Sequence, residues 1–135
     1  MHQRVEADRE IRNVVALLAL RADDGDLDEY VDLYTPDADW QLPGAPRHGH
    51  ADIRAGAEER RRTGTAGPGS RTRHVVTTVA VAVDPAGHEA VAESVWLFYV
   101  DTAGAPRVQS MGSYRDTLVA TPAGWKVRRR EITIG

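Results

Sequence analysis

Apolar residues recur at helical spacing in the first half of the chain and at alternating spacing in the second. From Val5 to Ala22, the residues Ile11, Val14, Val15, Leu18 and Ala22 mark one face of an amphipathic helix. A second stripe, Ala16, Ala19, Leu20 and Asp23, follows the same rule and places Asp23 at the end of a small apolar strip. Asp24 falls instead with Asn13, Leu17, Leu20 and Arg21, so Asp23 is the carboxylate expected to face inward. Gly25 is the expected stop. Asp26, with Glu29 three residues on, opens a short second helix in which Leu27, Tyr30, Val31 and Tyr34 share one side, closed by Pro36. Residues 37–42 read as a short strand with Ala38, Trp40 and Leu42 on one face, and Ala51 to Arg62 as a third helix with Ile53 and Ala57 inward. Thr63 to Ser70, rich in glycine, is a loop.

Beyond that loop the period changes to two. Four long strands are expected, Arg73 to Val83, Glu89 to Val100, Arg107 to Ala120 and Trp125 to Ile134, joined by turns at 84–87, 101–104 and 121–124 short enough for antiparallel hairpins. Helices first and a meander afterwards make the chain α+β, one domain over residues 1–135, with three N-terminal helices packed on one face of a curved antiparallel sheet. Alternation puts His74, Val76, Thr78, Ala80 and Ala82 on one face of the first long strand, yet Val75, Val79, Val81 and Val83 opposite are equally apolar. Two apolar faces predict helices on one and a partner subunit on the other.

With 41% hydrophobic and 27% charged residues the 135-residue chain has the composition of a soluble globular protein, and a net charge of −3 gives no global reason to expect nucleic acid. There is no cysteine, which excludes disulfides and thiolate chemistry. No apolar run is long enough for a membrane span, and Met1 to Glu6 has no signal-peptide character, so a cytoplasmic location is expected. His48 and His50 lie in a Gly/Pro loop without a third ligand at metal spacing, and there is no phosphate-cradling glycine loop, so neither metal nor cofactor is expected.

The chain resembles the SnoaL-like (polyketide-cyclase-like) family of the nuclear-transport-factor-2-like superfamily, whose relatives include scytalone dehydratase and a lindane dehydrochlorinase. The resemblance is carried by Asp23-Asp24-Gly25-Asp26, by 34–40 ending in Trp40, by Gly49-His50-Ala51-Asp52-Ile53, by Arg73-His74, by 112–116 and by Gly124-Trp125-Lys126-Val127 with Arg130. It implies a cone-shaped NTF2-like fold, assembly as a homodimer or higher homo-oligomer, and a catalytic pair, an Asp closing the first helix and a His opening the third strand, which fall here on Asp23 and His74. Ala22 stands where the dehydratases have a Tyr, Trp96 approximately where they have a second His, and Leu18 where the dehydrochlorinase has a Lys.

In this reading His74 is a general base and Asp23 fixes its tautomer. Trp40, Trp96, Tyr30, Tyr34 and Met111 would wall a pocket for an apolar cyclic or polyketide-like molecule, with Ser113 and Arg130 donating to its oxygens. The activity implied is a cofactor-independent elimination, isomerisation or cyclisation. Three alternatives stay open: a core histidine beside a helix-terminal carboxylate with no catalytic part; a ligand-binding or structural subunit like the β subunit of ring-hydroxylating dioxygenases; and an epoxide or ester hydrolase.

Overall fold

A computed structural model describes residues 2–135; Met1 lies outside the described residues. Helix α1 spans His2–Asp23, α2 Leu27–Asp32 and α3 Gly49–Arg62; strands β1 (Tyr34–Gln41) and β2 (Arg47–His48) fall between α2 and α3, and β3 (Arg73–Val83), β4 (Glu89–Val100), β5 (Arg107–Thr121) and β6 (Gly124–Ile134) follow. The six strands form one sheet in the order β2-β1-β6-β5-β4-β3. β3 to β6 are the expected antiparallel meander, but β1 lies parallel to β6, so the sheet is mixed. That pairing brings Trp40 beside Arg130.

α1 buries Ala7, Ile11, Val14, Val15 and Leu18 against the sheet. Ala16 and Leu20, which share the predicted stripe with Asp23, are exposed, whereas Asp23 itself is buried and Asp24 is exposed. The helix ends because Asp23 and Gly25 are followed by Asp26, whose carboxylate accepts the Asp28 amide at 2.8 Å and caps α2. Glu29 is not the second half of a capping box; it pairs with Arg21 at 2.9 Å. α2 stops before Tyr34, which opens β1. Pro36 therefore sits inside a strand, two residues past the strand's first.

The two apolar faces of β3 have a physical explanation in a β-bulge. Pairing with β4 shifts between Thr77 and Ala80, and Thr78 takes a left-handed φ of 54°. Alternation left open which face of β3 is inward; in the structure His74 and Val76 face the helices. After the extra residue the parity reverses, so Val79, Val81 and Val83 pack on the core while Ala80 and Ala82 are exposed. The expected common face for His74, Thr78, Ala80 and Ala82 is thus broken at Thr78. Arg12 on α1 fixes the bulge by donating to the Val79 carbonyl at 2.9 Å. The same device recurs in β6, where pairing with β5 shifts between Thr117 and Leu118 and lets both Val127 and Arg130, three residues apart, point inward.

On β5 the inward parity is Gly112, Tyr114, Asp116 and Leu118, all buried. Gly112 is required by crowding: a Cβ there would lie 1.9 Å from the Thr133 carbonyl oxygen and 2.6 Å from the Trp96 ring. The indole of Trp96 lies across the glycine and donates to the Ser113 carbonyl at 3.3 Å.

Candidate active site

The end of α1 and the start of β3 meet through two hydrogen bonds. Asp23 Oδ2 accepts the backbone N–H of His74 at 2.8 Å, and Asp23 Oδ1 lies 2.7 Å from His74 Nδ1. A carboxylate can only accept here, so Nδ1 carries the proton, and in the neutral imidazole the lone pair is on Nε2. The backbone bond does separate work: it pins the carboxylate to the very residue whose ring it orients. Asp23 is 4% exposed, and the His74 side chain is 22% exposed and packs against Phe98, the ring centroids 4.7 Å apart and the planes tilted by 54°.

His74 lines a cavity of about 330 Å³ between the helices and the sheet. Leu18, Ala19 and Ala22 of α1, Tyr30 of α2 and Ala57 of α3 form one side; Trp96, Phe98, Tyr114, Arg130 and Ile132 form the sheet side. Trp40 closes the end under Arg60, whose guanidinium carbon is 5.1 Å from the ring centroid. Apart from His74, the buried polar groups on the wall are Tyr30, Tyr114 and Arg130.

Of the residues expected to form the site, Asp23, His74, Tyr30, Trp40, Trp96 and Arg130 meet at this cavity, Asp23 through its bonds to His74. Tyr34 does not line it. As the first residue of β1 it sits fully buried behind Tyr30, the two hydroxyls 3.2 Å apart. Met111 and Ser113 are corrections as well: both have the outward parity of β5, Met111 being 48% exposed and the Ser113 hydroxyl bonding to that of Thr133.

Asp116, part of the 112–116 stretch that carries the family resemblance, is the residue to which sequence reasoning gave no place in the site. It is fully buried and accepts from Arg130 Nε and Nη2 at 2.8 and 2.9 Å, a bidentate pair across β5 and β6. The signal that could have found it is the inward arginine itself, since a buried guanidinium requires an acidic partner. The guanidinium also lies over the Tyr114 ring, 3.7 Å from its centroid. Among the described residues no cluster of His, Cys, Asp or Glu is placed to hold a metal ion, and no helix is long and apolar enough to cross a membrane.

Burial pushes the Tyr114 hydroxyl up from 10.0 to about 12, and burial also raises Tyr34. A tyrosine whose folded-state pKa is raised contributes stability that is fully present below the unfolded value and is lost as pH climbs through the folded one. For Tyr114 this window runs from 10.0 to about 12, equivalent to about 3 kcal/mol. Urea melts across that window should show the wild type losing stability more steeply than Tyr114→Phe. Parallel curves would refute the assignment.

A SnoaL-like domain model matches residues 3–131. The chain belongs to the SnoaL-like family. No curated protein matches it. Among solved structures it is similar to an NTF2-like protein with a cystatin-like fold from Novosphingobium aromaticivorans, at 26% identity over 96% of this chain and 82% of that one, with a TM-score of 0.85. ActVI-ORFA from Streptomyces coelicolor superposes with a TM-score of 0.77 at 23% identity, covering 93% and 95% of the two chains. A Novosphingobium aromaticivorans protein provisionally assigned as a scytalone dehydratase gives 0.79 at 21% identity over 99% and 87%. The SnoaL-like domain therefore has the NTF2-like, cystatin-like fold: α+β, with three helices on a curved, unclosed sheet of six strands.

Proposed function

We propose that this SnoaL-like protein is a cofactor-independent enzyme that moves a proton on an apolar, cyclic or polyketide-like small molecule, in an elimination, isomerisation or cyclisation. The observation that carries this reading is the Asp23–His74 pair, doubly bonded, desolvated on the carboxylate side, with Nε2 unpaired in a cavity otherwise lined mainly by apolar groups. Nε2 takes a proton from substrate carbon or oxygen, and Asp23 stabilises the imidazolium that forms. Trp96 and Trp40 offer flat faces for rings, and Tyr30 and Arg130 are polar groups on the same wall.

Solvent exchange gives a direct test. Bicyclic ketones with an acidic C–H next to the carbonyl are incubated with the protein in D2O, and deuterium incorporation is followed by NMR. The wild type should catalyse exchange, and His74→Ala should slow it about a hundredfold or more. Equal rates for the two proteins would remove the dyad from the mechanism.

A further inference from the structure

One arginine on the cavity wall has no carboxylate to answer it. Arg60, in the last turn of α3, lines the cavity and holds its guanidinium carbon 5.1 Å from the centroid of the Trp40 ring. Among the described residues that guanidinium makes no hydrogen bond and no ion pair. Other arginines around α3 are engaged: Arg47 with Asp52 and Glu59 at 3.1 and 3.3 Å, Arg54 with Asp28 and Glu58, and Arg61 with the Arg21 carbonyl at 2.9 Å. Arg130, the second arginine on the cavity wall, is neutralised by both oxygens of Asp116.

Gly56, one turn earlier on α3, makes room for this group. A Cβ there would meet Arg60 Nη1 at 3.2 Å and Arg47 Nε at 3.1 Å, so two guanidinium groups are neighbours across a residue without a side chain. A guanidinium over an aromatic face is held by the ring quadrupole, while its N–H groups radiate in its own plane and stay available to an acceptor. A carboxylate matches two of them at once. The opposite pole of the cavity is the buried Asp23 beside His74 on β3, and three strands separate β3 from the β1 strand that carries Trp40. A ligand anion is disfavoured at the Asp23 pole and stabilised at the Arg60 pole.

We propose that the Arg60–Trp40 end of the cavity seats a carboxylate, so that the site takes aromatic or polycyclic acids. The apolar body packs among Leu18, Trp96 and Ile132, and the carboxylate accepts from the Arg60 fork. Only in making such an acid the substrate does this rest on the acid-base reading above; the seat itself stands on the cavity and its unanswered cation. Arg60 is a specificity-determining residue: it exchanges no proton and touches no reacting atom. It holds the molecule by a group remote from the one that His74 deprotonates, and binding at such a remote group is what fixes the orientation of a reacting carbon.

The probes are 2-naphthoate and 2-naphthamide, which share a shape and differ in charge, titrated calorimetrically at neutral pH, where the acid is ionised. The wild type should prefer the naphthoate, and Arg60→Gln should lose about ten- to a hundredfold of that affinity while binding the amide unchanged. Arg60→Lys, which keeps the charge without the fork, should retain part of the preference. His74→Ala should retain all of it, so this readout stands apart from the dyad's, which is exchange in D2O. Preference without exchange would leave the acid seat standing and remove the chemistry; exchange without preference would do the reverse. No preference in the wild type, an undiminished preference in Arg60→Gln, which would assign the carboxylate to Arg130, or an equal loss for both probes, which would make Arg60 a packing partner of Trp40 alone, would each overturn the proposal.

Discussion

Replacing Arg130 by methionine is expected to remove about 3–5 kcal/mol of stability, because it strands the Asp116 carboxylate in the core with no partner. Asp116 is fully buried and both its oxygens are engaged by Arg130, so the loss cannot be made up by solvent. Urea melts should show a lower midpoint at an unchanged slope, as expected when the folded state alone is weakened. The double variant Arg130→Met with Asp116→Leu separates two meanings of this number. A buried ion pair contributes little net stability over a well-packed apolar replacement, so the double variant should recover most of the loss. A single variant as stable as the wild type would mean that the pair is open to water.

The dyad was legible because both of its members sit where local rules are strong. Asp23 is the last residue of a helix terminated by the signal at Gly25 and Asp26, and His74 is the second residue of a strand whose bounds, Arg73–Val83, follow directly from its β-branched run. The bounds of β4 were equally plain between two turns. What the pattern could not supply was parity across a bulge. An extra residue at Thr78 looks, in sequence, like a strand apolar on both faces, and the prediction of a partner subunit drew on that appearance. In β6 the alternation slips around 128–130, and only the pairing of Thr117 with Arg129 and of Leu118 with Val127 shows that this slip turns Arg130 inward.

Met111 and Ser113 were misplaced for a related reason. Their inward neighbour is Gly112, which has no side chain to reveal the buried parity; the volume it leaves is filled by Trp96 from the adjacent strand. A large apolar residue beside a glycine then reads as core when it is the exposed one. Tyr34 illustrates the reverse. Its helical spacing from Tyr30 and Val31 fits α2, but the chain turns into β1 at that residue, and the two tyrosines stay in contact because helix end and strand start are adjacent. Asp116 had no role legible in the sequence because that role is defined by a cross-strand partner fourteen residues away.

Asp23→Asn should cost activity about 10³- to 10⁴-fold while leaving the fold nearly as stable as before. Asn is the same shape as Asp, and its carbonyl oxygen can still accept the His74 backbone N–H that Asp23 Oδ2 accepts at 2.8 Å. The amide nitrogen then faces Nδ1, 2.7 Å away in the wild type. Two donors cannot face each other, so the imidazole must present a lone pair at Nδ1 and carry its proton on Nε2, the atom that has to accept one. The base is disarmed without being moved. Asp23→Ala should be comparably inactive but less stable by about 1–3 kcal/mol, since the buried N–H of His74 loses its acceptor. Adding His74→Ala to Asp23→Asn should lower the rate little further, because the two residues act as one unit. The discriminating measurement is exchange of the ketone C–H in D2O for each variant beside its urea midpoint. An Asp23→Asn protein within tenfold of the wild-type rate would show that the imidazole tautomer does not matter, and the dyad would then be a structural clasp between α1 and β3.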